Sequence, residues 1–495
     1  MNTRAAVLLT LLTFPLAILL AGEKKPYSHA DYYEHYEGTK TCLSCHESDA
    51  ESFFHSQHYQ WQGEAPAIVN SKGRRLGKMN TINDFCTNPS ANWIDLVRNS
   101  RGEIISKGCS ACHAGMGLKP EPTISQQQLE NIDCLVCHAS GYRRDLYETG
   151  EGGYEWKPIL WKNKEGLDSV SKRISMPKRT MCLRCHSASG GGPNWKRGDI
   201  EYTLRDPEPT YDVHMTKDGP DMQCVDCHAG SDHRVRGRGT DLSATDSPGA
   251  RLLCSECHEE SPHGAKVLDR HAEKVYCTTC HIPAFARTEP TDMVRDWSTP
   301  LYNEEKDKYS ATITFEDNVE PVYTWYNGTT REQFMGEKIK TVSSGEVGIM
   351  VPQGSRDDPD AKLYAFKLHR GKLPMLTDKQ WLIPIMVEAF FADGDIDGAV
   401  KHAAKETYGV DDAEYEWVDT VRYMGIFHSI PPADQALKCL DCHADDGRLD
   451  WEALGYKEDP MDALLKARRA KKPRNRYRTA RDETTRTDQP GKQTP

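Results

Sequence analysis

Sixteen of the 17 cysteines in this chain occur in pairs, and every pair has the form C-x-x-C-H. The paired cysteines are Cys42/Cys45, Cys109/Cys112, Cys134/Cys137, Cys182/Cys185, Cys224/Cys227, Cys254/Cys257, Cys277/Cys280 and Cys439/Cys442. The histidines that close these pairs are His46, His113, His138, His186, His228, His258, His281 and His443. We number the motifs 1 to 8 in chain order. Any fold of this chain has to accommodate all of them.

The spacing within these motifs is typical of covalent haem attachment. Two thiols three positions apart can form thioethers with the two vinyl groups of one porphyrin, and the adjoining histidine can then bind the iron. A zinc site would need two C-x-x-C pairs around one metal, and it would not need a histidine after every second cysteine. We therefore expect eight covalently bound haem c groups.

Composition favours a fold built around haem over one with a large apolar core, because only 37% of the residues are hydrophobic. We expect a mainly α chain with much irregular structure and small β elements, wrapped around a stacked haem array. The run V-Y-T-W-Y-N-G-T at 322–329 predicts a hairpin. The run from Asp395 to Gly409 predicts a helix with a cap at each end.

The chain divides into four regions. Residues 1–22 combine a basic start, an apolar run and small residues, which is typical of a signal peptide, or else of an uncleaved N-terminal anchor. Residues 23–290 form a haem-rich region with seven motifs, and residues 291–465 form a haem-covering region with the eighth. Residues 466–495 carry eleven basic and three acidic residues and are expected to be a disordered tail.

Export is expected, because haem is joined to such motifs after translocation and the thioethers leave few cysteines for disulfides. The compartment is then periplasmic or extracellular. The expected partner is a quinol dehydrogenase or a periplasmic cytochrome. Membrane association through the N-terminus or the basic tail and self-association into a homo-oligomer both stay open. Nucleic acid is not expected as a partner, because the exported body is acidic.

Several stretches of the sequence resemble the octahaem tetrathionate reductase family of cytochromes c. They are N-I-D-C-L-V-C-H at 131–138, D-V-H-M at 212–215, C-T-T-C-H-I-P-A-F-A-R at 277–287, D-W-S at 296–298, and the long run at 436–456. The resemblance extends over residues 27 to 460. It implies seven haems with two histidine ligands each and one haem, at motif 2, whose second ligand is a lysine amine.

Eleven histidines lie outside the motifs. By resemblance, the second ligands are His58, His214, His233, His263, His271, His369 and His428. His29, His35, His55 and His402 are then spare. The family's lysine position is taken here by Ser169, so Lys172, Lys164 and Lys178 are the nearest amines, in that order, and an open or water-bound iron is the alternative.

The resemblance implies an exported oxidoreductase that reduces a small oxyanion or nitrogen species at motif 2. Tetrathionate is the substrate of the family's name reaction, and nitrite and hydroxylamine suit such an iron equally. Lys172 or Asp168 would supply charge and protons. The alternative is a non-enzymatic conduit that passes electrons between a membrane quinol system and outside acceptors.

Cys86 is the one cysteine that belongs to no motif. A lone cysteine is often a small buried hydrophobic residue. The F-C pair at 85–86 instead resembles the place where family members position a cysteine beside the reactive haem. A thiol there could form a mixed disulfide with a sulfur substrate or bind an oxyanion. We therefore predict that Cys86 takes part in the reaction.

Overall fold

The structure is a computed structural model that describes residues 28–471, apart from residues 86, 87, 90, 91, 95, 151, 160–165 and 238–251. The predicted signal peptide or anchor, residues 1–22, lies outside the described residues. No helix in the described part of the chain is both long enough and apolar enough to cross a membrane.

The region with motifs 1 to 7 consists of short elements joined by irregular chain, as predicted. Its helices are α1 (Thr39–Phe54), α2 (Gln57–Gln60), α3 (Gln126–Glu130), α4 (Leu135–His138), α5 (Leu167–Lys172), α6 (Arg179–His186), α7 (Cys224–Cys227), α8 (Lys266–Lys274) and α9 (Cys277–His281). Its antiparallel ribbons pair β1 (Leu96–Arg98) with β2 (Ile104–Lys107), β3 (Arg144–Glu148) with β4 (Tyr154–Pro158), and β5 (Gly230–Ser231) with β6 (Arg234–Val235). Most motifs lie in helical turns, which bring the two thiols of a motif to one side of the chain.

A seven-stranded mixed sheet dominates the region after residue 290. Its strands are β7 (Thr291–Asn303), β8 (Lys308–Glu316), β9 (Val322–Tyr326), β10 (Thr330–Glu332), β11 (Val347–Pro352), β12 (Lys362–Leu376) and β13 (Tyr415–Gly425). They are ordered β10-β11-β13-β12-β7-β8, and β9 also pairs with β12. The pairs β7–β12 and β11–β13 are parallel and the others are antiparallel. The helices of this region are α10 (Val387–Asp393), α11 (Ile396–Tyr408), α12 (Cys439–His443) and α13 (Pro460–Lys471).

The prediction of a mainly α fold is not supported in its proportions, because the described part of the chain holds 26% helix and 23% strand. The physical reason is clearest in β12, which is buried along most of its length on both faces. A strand buried on both faces belongs in the middle of a sheet. Where the chain carries no attachment motif, it buries its apolar residues in a conventional core that includes Trp297, Leu373 and Phe390.

The three local predictions have different outcomes. The helix prediction is confirmed, since the Asp395 carboxylate accepts a hydrogen bond from the Gly398 amide and Gly409 ends α11 in a left-handed conformation. The hairpin prediction is wrong, because β9 pairs with β12 and β10 pairs with β11. The predicted disordered tail begins too early, because α13 continues to Lys471. The remainder of the tail lies outside the described residues.

Candidate functional site

Seven of the eight motif histidines face a second histidine across a narrow gap. The pairs are His46–His29, His138–His233, His186–His58, His228–His428, His258–His214, His281–His263 and His443–His271, with ring centroids 6.0–6.3 Å apart. Two imidazoles that bind one metal ion from opposite sides, through bonds of about 2 Å each, place their ring centres about 6 Å apart. The spacing therefore fits seven irons, each held between two histidines.

One continuous cavity of about 4220 Å³ runs past all eight motifs. Its walls contain both cysteines of most motifs and the histidine of every motif. A porphyrin is a large apolar ring that needs such a space beside its thioether cysteines and its axial ligand. The cavity and the paired histidines together fit covalently bound haem.

Cysteines of different motifs adjoin one another, which gives the spatial order of the motifs. Hydrogen-bonding neighbours are Cys42 and Cys134, Cys112 and Cys185, Cys182 and Cys224, and Cys254 and Cys277. Electrostatic contacts join Cys137 to Cys182, Cys227 to Cys257, and Cys280 to Cys439. The motifs thus follow the order 1, 3, 4, 5, 6, 7, 8, and motif 2 adjoins motif 4 as a side branch.

Motif 2 differs from the others, because no second histidine faces His113, and the structure describes all 19 histidines of the chain. The His113 ring lies among the rings of Tyr59, Trp61 and Trp93, at centroid distances of 4.7–5.6 Å. Its Nε2 atom lies 2.7 Å from the backbone oxygen of Tyr59. Motif 2 is therefore the site at which histidine supplies no second axial ligand.

The segment of residues 77–85, which we call the cap segment, adjoins motif 2. Lys78 Nζ lies 4.9 Å from the centre of the Trp61 ring and interacts electrostatically with Cys112. Asn83 lines the same cavity. A Cβ atom at Gly77 would lie 2.1 Å from the backbone oxygen of Trp61, so only glycine permits this close approach. The cap segment therefore packs directly against the chain that surrounds His113.

Cys86 directly follows the cap segment in the sequence but lies outside the described residues. Its neighbour Phe85 is 1% exposed, and its ring stacks on His369 with the ring centroids 3.9 Å apart. Three cationic groups lie 5.5–6.0 Å from the centre of the Phe85 ring, those of Lys196, Arg295 and Lys367. Arg295 is paired with the Asp292 carboxylate, and burial lowers the pKa of Lys367 to about 7, so the positive groups next to Cys86 are partly compensated.

A buried chain of charges anchors the cap segment to the sheet. In order, its members are Arg422, Asp84, His369, Asp292 and Arg295. The Asp84 carboxylate lies 2.7 Å from Arg422 Nε and 2.8 Å from His369 Nδ1, and Asp292 lies 3.3 Å from His369 Nε2. Because both ring nitrogens face carboxylates, both must donate, and His369 is an imidazolium.

Asp84 is ionised in spite of its burial. Burial disfavours the charged carboxylate, but Arg422 and His369 outweigh this effect and hold the pKa of Asp84 well below its usual range. The Arg422 guanidinium also donates to the backbone oxygen of Ile82, at 2.8 Å. The cap segment is thus held by its backbone and by one buried carboxylate.

The structure changes two assignments among the histidines. His369 faces no motif histidine and belongs instead to the buried charge chain, so its predicted role as a second iron ligand is wrong. His29, predicted to be spare, faces His46. No local pattern distinguishes His29, whose amide donates to the backbone oxygen of Lys172 at 2.9 Å. The other six predicted second ligands all face a motif histidine.

The predicted catalytic residues Lys172 and Asp168 lie elsewhere, on α5. Lys172 Nζ donates to the backbone oxygen of Glu34 at 2.9 Å. Asp168 accepts from the Tyr36 amide at 2.7 Å and lies 3.1 Å from His35 Nδ1. Both side chains therefore hold the N-terminal segment, which carries His29, against α5. The structure shows no contact between either of them and His113.

The structure brings a different amine, that of Lys78, to motif 2. Of the other predicted amines, Lys164 lies outside the described residues, and Lys178 precedes the first turn of α6 beside Cys182. Sequence reasoning missed Lys78 because it lies before motif 2 in the chain and no motif marks it.

Comparison with known proteins places these features in a family. Residues 286–446 match the family model "Cytochrome c bacterial". The crystal structure of an octahaem cytochrome c from Shewanella oneidensis is similar with a TM-score of 0.71 and 31% identity, covering 86% of this chain and 94% of that chain. An uncharacterized protein from Archaeoglobus fulgidus is 35% identical over 47% of this chain and 88% of its own length. Cytochrome c-554 from Nitrosomonas europaea is 25% identical over 35% of this chain and 66% of its own length.

Proposed function

This chain belongs to the multihaem cytochrome c family, and we propose that it is an exported octahaem reductase whose reaction centre is motif 2. Electrons pass between the other seven motifs and reach motif 2 from motif 4. The substrate is a small sulfur or nitrogen species, with tetrathionate, nitrite and hydroxylamine as the candidates.

The observation that carries this proposal is that His113 has no facing histidine while the other seven motif histidines do. An iron with two histidine ligands is saturated and can only exchange electrons. An iron with one histidine ligand keeps a position at which a substrate can bind. A haem at motif 2 would supply a redox-active iron that acts as a Lewis acid.

The residues around motif 2 suit an anionic or strongly polar substrate. Lys78 places a positive charge beside Cys112, and Asn83 offers an amide to the same cavity. Tyr59, Trp61 and Trp93 enclose the His113 side and exclude water, which strengthens every electrostatic contact formed there. In this proposal Lys78 binds and orients the substrate, and Asn83 donates a hydrogen bond to it.

Cys86 keeps its proposed role in the reaction. Its neighbour Phe85 lies close to the cationic side chains of Lys196 and Arg295, and nearby cations favour the thiolate form of a cysteine. A thiolate can attack the disulfide-like sulfur bond of tetrathionate to form a mixed disulfide and release thiosulfate. Two electrons and one proton then restore the thiol and release the second thiosulfate.

The second candidate function is a conduit without catalysis. One observation favours it: the path through motifs 1, 3, 4, 5, 6, 7 and 8 runs from one end to the other without motif 2. In either case the proposed partner is a quinol dehydrogenase or a periplasmic cytochrome, and the proposed location is the periplasm or the cell exterior.

Replacing Lys78 by methionine tests the proposed reaction centre. We expect the variant to retain its haem content and to lose at least tenfold in kcat/KM for the substrate, a typical cost of removing a preorganised charge. Steady-state reduction of tetrathionate, nitrite and hydroxylamine by a viologen donor measures it. Lys72→Met, which removes an exposed lysine just before the cap segment, is the control. If the wild-type protein reduces none of the three substrates but is rapidly oxidised by external acceptors, it is a conduit.

Cys86→Ser tests the proposed thiol chemistry. We expect loss of tetrathionate reduction with nitrite reduction retained, because only the sulfur substrate can form a mixed disulfide. Haem content by intact mass and circular dichroism are checked first, so that misfolding is recognised. Wild-type rates on both substrates would show that Cys86 is only a packing residue.

A further inference from the structure

Among the histidines of the haem sites, the group that accepts a hydrogen bond from Nδ1 differs from one histidine to the next. His138 and His228 each have Nδ1 3.0 Å from a backbone oxygen, and His271 has Nδ1 2.7 Å from one. At motif 8, His443 Nδ1 instead lies 2.6 Å from the carboxylate of Asp459. A carboxylate draws the ring proton more strongly than a carbonyl does and makes the imidazole a more basic metal ligand.

The pair of His443 and Asp459 is well held. Their side chains are only 14% and 12% exposed. The Met461 amide donates to the same Asp459 oxygen at 2.7 Å, which fixes the carboxylate at the start of α13. The ring of Trp451 stacks on His443 at 5.1 Å with an interplanar angle of 19°. Neither partner of the hydrogen bond can turn away without breaking a further contact.

Other carboxylates near haem-site histidines are weaker in this respect, including that of Asp269, which lies 3.5 Å from Nδ1 of the partly exposed His263. The pair of Asp49 and His46 is more than half exposed on both sides, so solvent screens it. Asp199 faces His428, but Arg197 binds the same carboxylate and neutralises it. Asp459, in contrast, forms its ion pair with His443 among the described residues.

We propose that Asp459 gives the haem site at motif 8 the lowest reduction potential on the path from motif 1 to motif 8. Motif 8 is thereby the site of electron entry. A more basic axial ligand stabilises the ferric state over the ferrous state. Motif 8 also ends the spatial path, and its Leu440 side chain is 65% exposed, so a partner can approach it. In each transfer an external one-electron donor is oxidised by one electron, the motif 8 site is reduced by one, and no bond is broken.

This inference rests on haem attachment at motif 8, which belongs to the proposed function, but not on the reaction at motif 2. Its test is Asp459→Asn, because asparagine can still accept from the Met461 amide and from the ring. Reduction is followed by absorbance at controlled electrode potentials. We expect the component that is reduced last to move to higher potential, with its ferric-to-ferrous ratio at a fixed potential falling by roughly tenfold.

The matched control is Asp446→Asn, which removes the same charge from an exposed position close to motif 8. If Asp446→Asn moves the same component equally, a general charge effect explains the shift and the proposal is wrong. An unchanged lowest-potential component in Asp459→Asn also overturns it. Should that variant lose haem, Asp459→Ser keeps a capping oxygen and removes the carboxylate. Intact mass confirms the haem at motif 8, and substrate turnover is not part of the readout.

Discussion

Replacing Asp84 by asparagine should lower the free energy of unfolding by about 3–5 kcal/mol, the cost of removing one partner from a buried ion pair. Asp84 is fully buried and compensates two positive groups, the Arg422 guanidinium and the His369 imidazolium. Asparagine leaves both cations buried with one carboxylate, that of Asp292, nearby. The NH2 group of the asparagine would also face a hydrogen-bond donor, either Arg422 or the His369 ring.

Urea unfolding followed by far-ultraviolet circular dichroism measures this loss. The matched control is Asp168→Asn, which alters another aspartate that lies beside a histidine but is exposed to solvent. We expect a much smaller change there, because solvent screens exposed pairs. Equal midpoints for Asp84→Asn and the wild-type protein would contradict the buried charge chain.

The same variant should also affect the proposed reaction centre at motif 2. Asp84 anchors the cap segment, which carries Lys78 and Asn83 to the cavity beside motif 2. A loosened cap segment places these side chains less accurately, and errors of about 1 Å can cost roughly a hundredfold in rate. The buried charges therefore connect the stability of the sheet to the geometry of motif 2.

The sequence indicates the attachment motifs directly because attachment is a local property. Both thiols and one axial ligand lie within five consecutive residues, so no knowledge of the fold is needed to find them. The second ligands come from distant parts of the chain. Six of the seven facing histidines follow from family resemblance, and geometry is needed for the last.

The wrong assignments of His369 and His29 show where prediction from the sequence fails. His369 lies on β12, where alternation along the strand puts it on the same face as the buried Lys367. That face meets Asp84 and Asp292, which are far away in the sequence. A histidine between two carboxylates and a histidine that faces another across an iron look identical in sequence.

The prediction of only small β elements underestimated the size of the sheet for a similar reason. Composition favoured haem over a large apolar core, but the long interval between motifs 7 and 8 contains no attachment site. There, burial of side chains such as Trp297 and Phe390 has to supply the stability. The hairpin signal at residues 322–329 is local, whereas the backbone pairing of β9 with β12 joins residues far apart in the sequence, which no local pattern reveals.

Replacing His29 by alanine should convert one low-spin haem to the high-spin state. His29 faces His46 at a centroid distance of 6.1 Å, and its amide donates to the backbone oxygen of Lys172 at 2.9 Å. Alanine removes the ring but keeps the amide contact, so the N-terminal segment stays attached to α5. Electron paramagnetic resonance of the oxidised protein should then show an additional high-spin ferric signal.

Two further variants make this result specific to the ligand. His55→Ala removes an exposed histidine at the end of α1, and its spectrum should match that of the wild-type protein. His369→Ala should add no high-spin haem either, although it removes the imidazolium between Asp84 and Asp292 and destabilises the fold. An extra high-spin signal in His369→Ala, together with an unchanged spectrum in His29→Ala, would mean that the two histidines have the roles first predicted from sequence. The expected pattern would instead establish that the chain before motif 1 supplies a ligand to the first haem, which makes residues 28–38 part of the electron path.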